Sequence, residues 1–90
     1  MKHFDRTLEN AESEYAIWRD SNPRGLVVNE KLGEWMLHFA SCSHLQQFKA
    51  FDAKLVESPK TCSDNLAELQ EWADRKGEVL LRCRSCAPPP

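Results

Sequence analysis

The stretches His38-Phe39-Ala40-Ser41-Cys42 and Cys83-Arg84-Ser85-Cys86 decide how this chain is expected to fold. In the second stretch two residues separate the cysteines, so one tight turn brings both sulfur atoms close enough to share a tetrahedral ion. In the first stretch three residues separate a histidine from a cysteine, and this pair offers two more ligands from a second turn. The sequence therefore predicts one zinc site, formed by His38, Cys42, Cys83 and Cys86.

Two other residues compete for a place in this site. Cys62 is the main alternative ligand, because sites of four cysteines are also common in zinc proteins. His44 is the weaker candidate, since it lies only two residues beyond Cys42. Four good ligands leave the ion no open position for water, and the carboxylates nearest in sequence, Glu34 and Glu78, form no known catalytic signature. We therefore predict no catalytic residue.

The length of the chain makes a metal site valuable for stability. Ninety residues form one small domain with a modest core. A structural metal contributes on the order of 10 kcal/mol to the folded state of such a domain. No apolar run approaches the roughly 18 residues of a membrane span, and residues 1–6 lack the apolar core of a signal peptide. We expect a cytoplasmic protein with reduced cysteines; two disulfides in a secreted protein are the alternative.

The charge balance argues against general binding to nucleic acids. The chain carries 12 basic and 14 acidic side chains, a net charge of −2 at pH 7. Proteins that bind nucleic acids without sequence preference usually have a strong basic excess. Arg82 and Arg84 are the candidate phosphate contacts, and a purely solvated role is the alternative for both. The three tryptophans are predicted to lie in the core rather than to stack on bases: Trp18, Trp35 and Trp72.

Hydrophobic periodicity predicts two helices. The first covers residues 8–20, with Asn10 as its N-cap, and ends at the turn of residues 21–25. Its apolar stripe consists of Leu8, Ala11, Tyr15 and Trp18. The second begins at an N-cap assigned to Ser63 and ends at Gly77. Its apolar stripe consists of Leu66, Leu69, Trp72 and Ala73.

Four short segments predict strands: residues 26–29, 34–39, 60–62 and 78–82. Residues 43–59 predict irregular or helical packing that ends at Pro59. His3 is expected to be solvated. These elements indicate a small α+β domain, with a short antiparallel sheet and two helices, closed by one zinc ion. The domain is predicted to cover residues 1–87, and the prolines of residues 88–90 to form a loose tail.

From the second predicted strand onward, the chain resembles the metal-binding domain at the N-terminus of Ada-type DNA repair proteins. The shared pattern is a strand with a ligand turn over residues 36–42, a strand and a Ser-started helix over residues 60–76, Gly77, and the closing pair Cys83 and Cys86. The N-terminal part of the chain, around Tyr15 and Trp18 and over residues 22–29, also resembles small bacterial zinc-binding proteins associated with nucleases. The resemblance implies a zinc-stabilised fold over roughly residues 35–87.

One departure from the repair proteins bears on function. All four of their ligands are cysteines, and the first accepts a methyl group from DNA phosphate, whereas this chain has His38 at that position. Together with the closed site, this predicts a non-enzymatic module that binds DNA or a protein partner, in bacterial or phage defence or restriction, with no small-molecule substrate and no membrane. The alternatives are a zinc-thiolate repair-type or hydrolytic enzyme, and a phage-encoded inhibitor of a host enzyme.

Overall fold

A computed structural model describes residues 1–5, 7–31, 33–42, 59–86 and 88 of the chain. These residues form one five-stranded sheet and two helices. The strands are β1 (Lys2–Phe4), β2 (Leu26–Lys31), β3 (Glu34–Phe39), β4 (Lys60–Ser63) and β5 (Leu80–Arg82). The helices are α1 (Ala11–Ser21) and α2 (Leu66–Lys76). The predicted α+β class with two helices is confirmed.

The sheet has the strand order β1-β4-β2-β3-β5 and is mixed. β2 pairs antiparallel with β3 on one side and with β4 on the other, and β1 pairs antiparallel with β4. β5 instead runs parallel to β3, with Leu37 opposite Arg82. The expected antiparallel sheet is thus extended by one parallel pair. The reason is that the chain crosses from β4 to the far edge of the sheet through α2, the type of connection that parallel strands need.

The two helices cover opposite faces of the sheet. Successive side chains of a strand point to opposite faces, so each strand contributes to two separate layers of core. On one face, Val27 of β2 and Cys62 of β4 pack with Ala11 and Tyr15 of α1. On the other face, a second cluster joins the sheet to α2 through the residues Leu26, Val28, Leu37, Leu69, Trp72, Ala73 and Leu80.

Helix α1 begins later than predicted, because Leu8 lies in the turn before it and is 44% exposed. Asn10 is the N-cap residue, as predicted, but its backbone is left-handed, at φ 61°, and its side chain makes no capping hydrogen bond. After the helix, Gly25 allows a close approach to Trp18. A Cβ atom at Gly25 would lie 2.6 Å from the Trp18 Cη2 atom, so this position has no room for a side chain.

Helix α2 is capped by Asn65, and the assignment of the N-cap to Ser63 is wrong. The Asn65 side chain accepts a hydrogen bond from the backbone N–H of Glu68 at 3.3 Å. Ser63 is the last residue of β4, where its hydroxyl accepts from the Asn65 N–H and donates to Glu68 Oε1. The predicted stop at Gly77 is confirmed: its φ is 69°, and its N–H bonds back to the carbonyls of the last helical turn.

Strand β1 has no counterpart among the predicted elements. Its middle residue, His3, places Nδ1 at 2.9 Å from Thr61 Oγ1 and its ring 5.5 Å from that of Trp72. His3 is exposed, in agreement with the expectation that it is solvated, but it also makes these two contacts with the rest of the protein. At the other end of the chain, β5 is shorter than predicted, since Val79 precedes the strand and is 73% exposed.

The tryptophans pack as predicted. Trp72 is buried and stacks on half-buried Trp35, with ring centroids 4.5 Å apart, and Trp18 packs against the cluster under α1.

The packing predicted for residues 43–58 lies outside the described residues. Pro88 is buried, and since residues 89–90 are also outside the described part, the proline tail stays a prediction.

Candidate metal centre

The parallel pairing of β3 and β5 brings the two ligand stretches to the same end of the sheet. Leu37 lies opposite Arg82 in this pair, so His38 comes next to Cys83, the first residue after β5. The Cys83 N–H donates to the Leu37 carbonyl at 3.0 Å and continues the ladder by one residue. His38 alternates with Leu37 along β3 and therefore points to the face that α1 covers.

A tight turn after β3 returns Cys42 to the same place. The Cys42 N–H donates to the Phe39 carbonyl at 2.9 Å, which closes the turn over Ala40 and Ser41. The Ala40 N–H donates to the Gly25 carbonyl at 2.8 Å and fixes the turn to the strand end of β2. Backbone hydrogen bonds alone thus place the Cys42 side chain in the cluster that also contains the Cys83 side chain.

The four predicted ligands are brought together. One ligand-type atom from each of His38, Cys42, Cys83 and Cys86 lies within 4.8 Å of the others, and such a group could hold a metal ion. The Cys42 and Cys83 Sγ atoms are 3.7 Å apart. A tetrahedral ion with Zn–S bonds of about 2.3 Å requires sulfur atoms about 3.8 Å apart. The separation of these two sulfur atoms therefore matches that of two ligands in a tetrahedral site.

Most of the cluster is shielded from water. His38, Cys42 and Cys83 are buried, with exposures of 6%, 3% and 4%, and Cys86 is half-buried. The Phe39 N–H donates to the Cys86 Sγ at 3.2 Å. All four cysteines lie in the described part of the chain, and none forms a disulfide.

Cys62, the alternative ligand, does not belong to the group of four ligand atoms, although it packs in the same hydrophobic cluster as Cys42 and Cys83. It lies in β4 opposite Val27 of β2, and Val27 lies opposite His38 of β3. With neighbouring strands about 4.8 Å apart, one intervening strand separates Cys62 from His38 by about 10 Å. Cys62 is fully buried, and this burial raises the pKa of its thiol to about 12, against the opposing effect of Lys60. It is therefore a neutral core residue.

Three further candidate residues were predicted from the sequence: His44 as a ligand, and Arg82 and Arg84 as phosphate contacts. His44 lies outside the described residues. Arg82, a candidate phosphate contact, is half-buried and donates from Nη1 to the Leu80 carbonyl at 2.9 Å, whereas Arg84 is exposed.

Sequence patterns do not assign two residues of α1, Tyr15 and Arg19, to a site. Tyr15 was predicted only as a core residue; it is fully buried and packs in the same cluster as Cys42 and Cys83. Arg19, one helical turn later, holds its guanidinium carbon 5.7 Å from the centre of the Tyr15 ring. The spacing of four residues places the two side chains on one side of α1, but no local pattern shows what they face.

Comparison of the chain with known protein families, with curated proteins and with solved structures gave no match. Neither of the two helices in the described residues has the length and apolar character needed to cross a membrane.

Proposed function

We propose that this chain is a small zinc-binding module that acts by binding another macromolecule and not by catalysis. The observation that carries the proposal is the group of four ligand atoms within 4.8 Å of one another, from two turns that the sheet holds side by side. One histidine and three cysteines form a common ligand set of structural zinc sites. Zinc also has no redox chemistry of its own, so it suits a role in stabilising the fold.

The closed ligand set supports a non-enzymatic role. Catalytic zinc sites have three protein ligands and leave the fourth position to water or substrate. Here four side chains are available for four positions. The cluster is also mostly buried, and of the carboxylates nearest in sequence, Glu34 is exposed and neither it nor Glu78 has a described contact with the cluster. We therefore propose that the metal stabilises the fold and does not catalyse a reaction.

A protein partner suits the described surface better than DNA. The net charge is −2, and Arg82 uses one guanidinium nitrogen on its own backbone, which leaves Arg84 as the exposed arginine beside the site. The role proposed for the module is therefore recognition of a protein, within a bacterial or phage defence or restriction system. This context is the one that the resemblance of the sequence implies.

Native mass spectrometry with metal quantitation tests the zinc site. We expect one zinc ion per chain in the wild-type protein and in Cys62→Ser, and loss or clear weakening of zinc binding in His38→Ala and Cys83→Ser. Cys62→Ser is the matched control, because it removes a buried thiol outside the group of four ligand atoms. Absence of zinc from wild-type protein purified with a reductant would contradict the site, as would zinc loss confined to Cys62→Ser.

Binding assays test the partner. The zinc-loaded protein should retain a specific protein in a pull-down, and the same bait treated with a chelator should lose it. An electrophoretic shift of DNA by the wild-type protein at low salt, reduced in Arg84→Ala, would favour DNA instead, since phosphate contacts are strongest at low salt. Turnover of a substrate by zinc-loaded protein, abolished in Cys42→Ser, would contradict the non-enzymatic proposal.

A further inference from the structure

Two side chains of α1 hold polar atoms inside the protein without a hydrogen-bond partner among the described residues. The Tyr15 hydroxyl is one, in a side chain that is fully buried. The Arg19 Nε and Nη1 atoms are the others, in a side chain that is 13% exposed. The Arg19 Nε atom lies 3.5 Å from Asp20 Oδ1, an ion pair that lacks hydrogen-bond geometry. Buried donors without acceptors are rare in folded proteins, so these atoms call for an explanation.

The position of these donors points to the metal centre. Tyr15 packs in the same cluster as Cys42 and Cys83. The last turn of α1 leads into Gly25, whose carbonyl accepts from the Ala40 N–H, two residues before Cys42. The end of α1 that contains Arg19 therefore lies at the same end of the sheet as the ligands.

Electrostatic effects on Tyr15 agree with this placement. Burial raises the pKa of the Tyr15 hydroxyl, and Cys62 and Cys42 raise it further, while the charge of Arg19 and the approach of its guanidinium to the hydroxyl oxygen lower it. An Arg19 N–H can at most donate to this oxygen, so the proton of the Tyr15 hydroxyl itself has no acceptor among the described residues. These groups are thus close enough to interact across the buried face of α1.

A zinc ion held by three thiolates and a neutral histidine has a formal excess of one negative charge. The carbonyls at the end of α1 add partial negative charge on the same side. A buried centre of this kind needs a nearby cation and hydrogen-bond donors, which in metal proteins hold the ligands and adjust their basicity. Metal-bound thiolates are far better acceptors than neutral thiols, so they match the donors that Arg19 and Tyr15 present.

We propose that Arg19 and Tyr15 form the outer shell of the metal centre. In this arrangement the guanidinium of Arg19 balances the negative charge of the thiolate site, and the Tyr15 hydroxyl donates a hydrogen bond to the thiolates on the Cys42 side. Both act on the metal through its ligands and are positioning residues. The inference rests on the proposed zinc site.

Zinc affinity, measured by competition with a chromophoric chelator, tests this role. We expect Arg19→Met to weaken zinc binding by about 10-fold or more, the usual effect of losing an outer-shell partner, and Tyr15→Phe to weaken it severalfold. Arg19→Lys should recover most of the loss, because it restores the charge. The matched control is Arg24→Met, which removes the same charge from an exposed position in the following turn and should bind as the wild type does.

Two further measurements separate this role from a purely structural one. Saturated with Co²⁺, both variants should show the sulfur-to-metal charge-transfer band at longer wavelength than the wild type, since thiolates that lose donors give up electrons more easily. In chelator, Tyr15→Phe should be at least as stable as the wild type, because it deletes a buried hydroxyl without a described partner.

The outcomes separate the two proposals. Wild-type zinc binding with unchanged affinities and Co²⁺ spectra in Arg19→Met and Tyr15→Phe would overturn the outer-shell role and leave the zinc site standing. Failure of Arg19→Lys to improve on Arg19→Met would also overturn the role of the charge. Absence of zinc binding in the wild type would overturn both proposals.

Discussion

At the scale of single residues, Lys60 is the one lysine among the described residues that is buried, and its burial works against the fold. Lys60 is 6% exposed, and burial lowers its pKa to about 8, although its Nζ donates to Asn29 Oδ1 at 2.6 Å. Its position in β4 puts its side chain on the same face of the sheet as Cys62. The hydrogen bond with Asn29 thus offsets the cost of desolvating the ammonium group only in part.

The low pKa of Lys60 predicts a dependence of stability on pH. Unfolded lysine keeps its proton up to its ordinary pKa near 10.5, so between pH 8 and 10.5 the unfolded state binds more protons and stability must rise with pH. We expect the free energy of unfolding of the wild type, relative to Lys60→Met, to increase by roughly 1–2 kcal/mol from pH 8 to pH 9.5. Urea denaturation at both pH values measures it.

The control for this measurement is Lys2→Met, in the neighbouring strand β1, where the lysine is exposed. Its difference from the wild type should stay constant over the same pH range. A constant difference for Lys60→Met as well would show that Lys60 is solvated in the folded protein.

Gly25 gives a second prediction at this scale. Because a Cβ atom there meets Trp18 at 2.6 Å, Gly25→Ala should lower the free energy of unfolding by about 1–3 kcal/mol, as overpacking usually does. Thermal or urea denaturation measures the loss. The same substitution in a Trp18→Leu background should cost less, and an equal cost in both backgrounds would mean that Trp18 is not the obstacle.

At the scale of elements, the start of α2 shows where local sequence patterns stop being informative. Ser63 and Asn65 are both good capping residues, and both precede the apolar stripe of the helix. The choice between them depends on β2, because pairing with Leu26 holds Ser63 in β4 and leaves the cap to Asn65. This partner is distant in the sequence, so the pattern around Ser63 could not reveal it.

This assignment predicts different effects for neighbouring residues. Asn65→Ala should lower the free energy of unfolding by about 1 kcal/mol, and Asn65→Asp should preserve it, since an aspartate also accepts from the N–H of Glu68. Asp64→Ala, one residue earlier and exposed, is the control and should change stability little. Equal losses in Asn65→Ala and Asp64→Ala would contradict the capping role of Asn65.

The other elements also differ in whether local sequence signals could predict them. Strands β2 and β3 and the stop of α2 at Gly77 were predictable, since alternation, turn residues and a left-handed glycine are local signals. Strand β1 was not, because three residues are too few to show a period. The parallel direction of β5 was not predictable either, since it depends on where the chain goes after α2.

At the scale of the whole molecule, the ligand cluster joins parts of the chain that are distant in sequence. The spacing within each ligand pair was enough to predict the four residues, because each pair lies on one turn. The exclusion of Cys62 required the strand order, which puts β2 between β4 and β3. The placement of Tyr15 in the same hydrophobic cluster as Cys42 and Cys83 required the packing of α1.

Removal of the metal should therefore weaken the end of the sheet at which the four ligands lie more than the centre of the sheet. With zinc contributing on the order of 10 kcal/mol in domains of this type, a chelator should lower the melting temperature sharply. Hydrogen exchange should accelerate first at the N–H groups of Phe39 and Cys83, which bond to the Cys86 sulfur and the Leu37 carbonyl, and last at Val28 in the central strand. Unchanged melting after complete removal of zinc would contradict a structural role for the metal.

The parallel pairing of β3 and β5 also has a consequence for protein synthesis. Cys42 and Cys83 are 41 positions apart, so a ribosome adding about 5–20 residues per second needs about 2–8 seconds to deliver the second thiol after the first. During that interval the nascent chain offers only one histidine and one cysteine of the four proposed ligands, a pair too weak to retain zinc. In the proposed site, the ion would be captured only after Cys83 and Cys86 have been made.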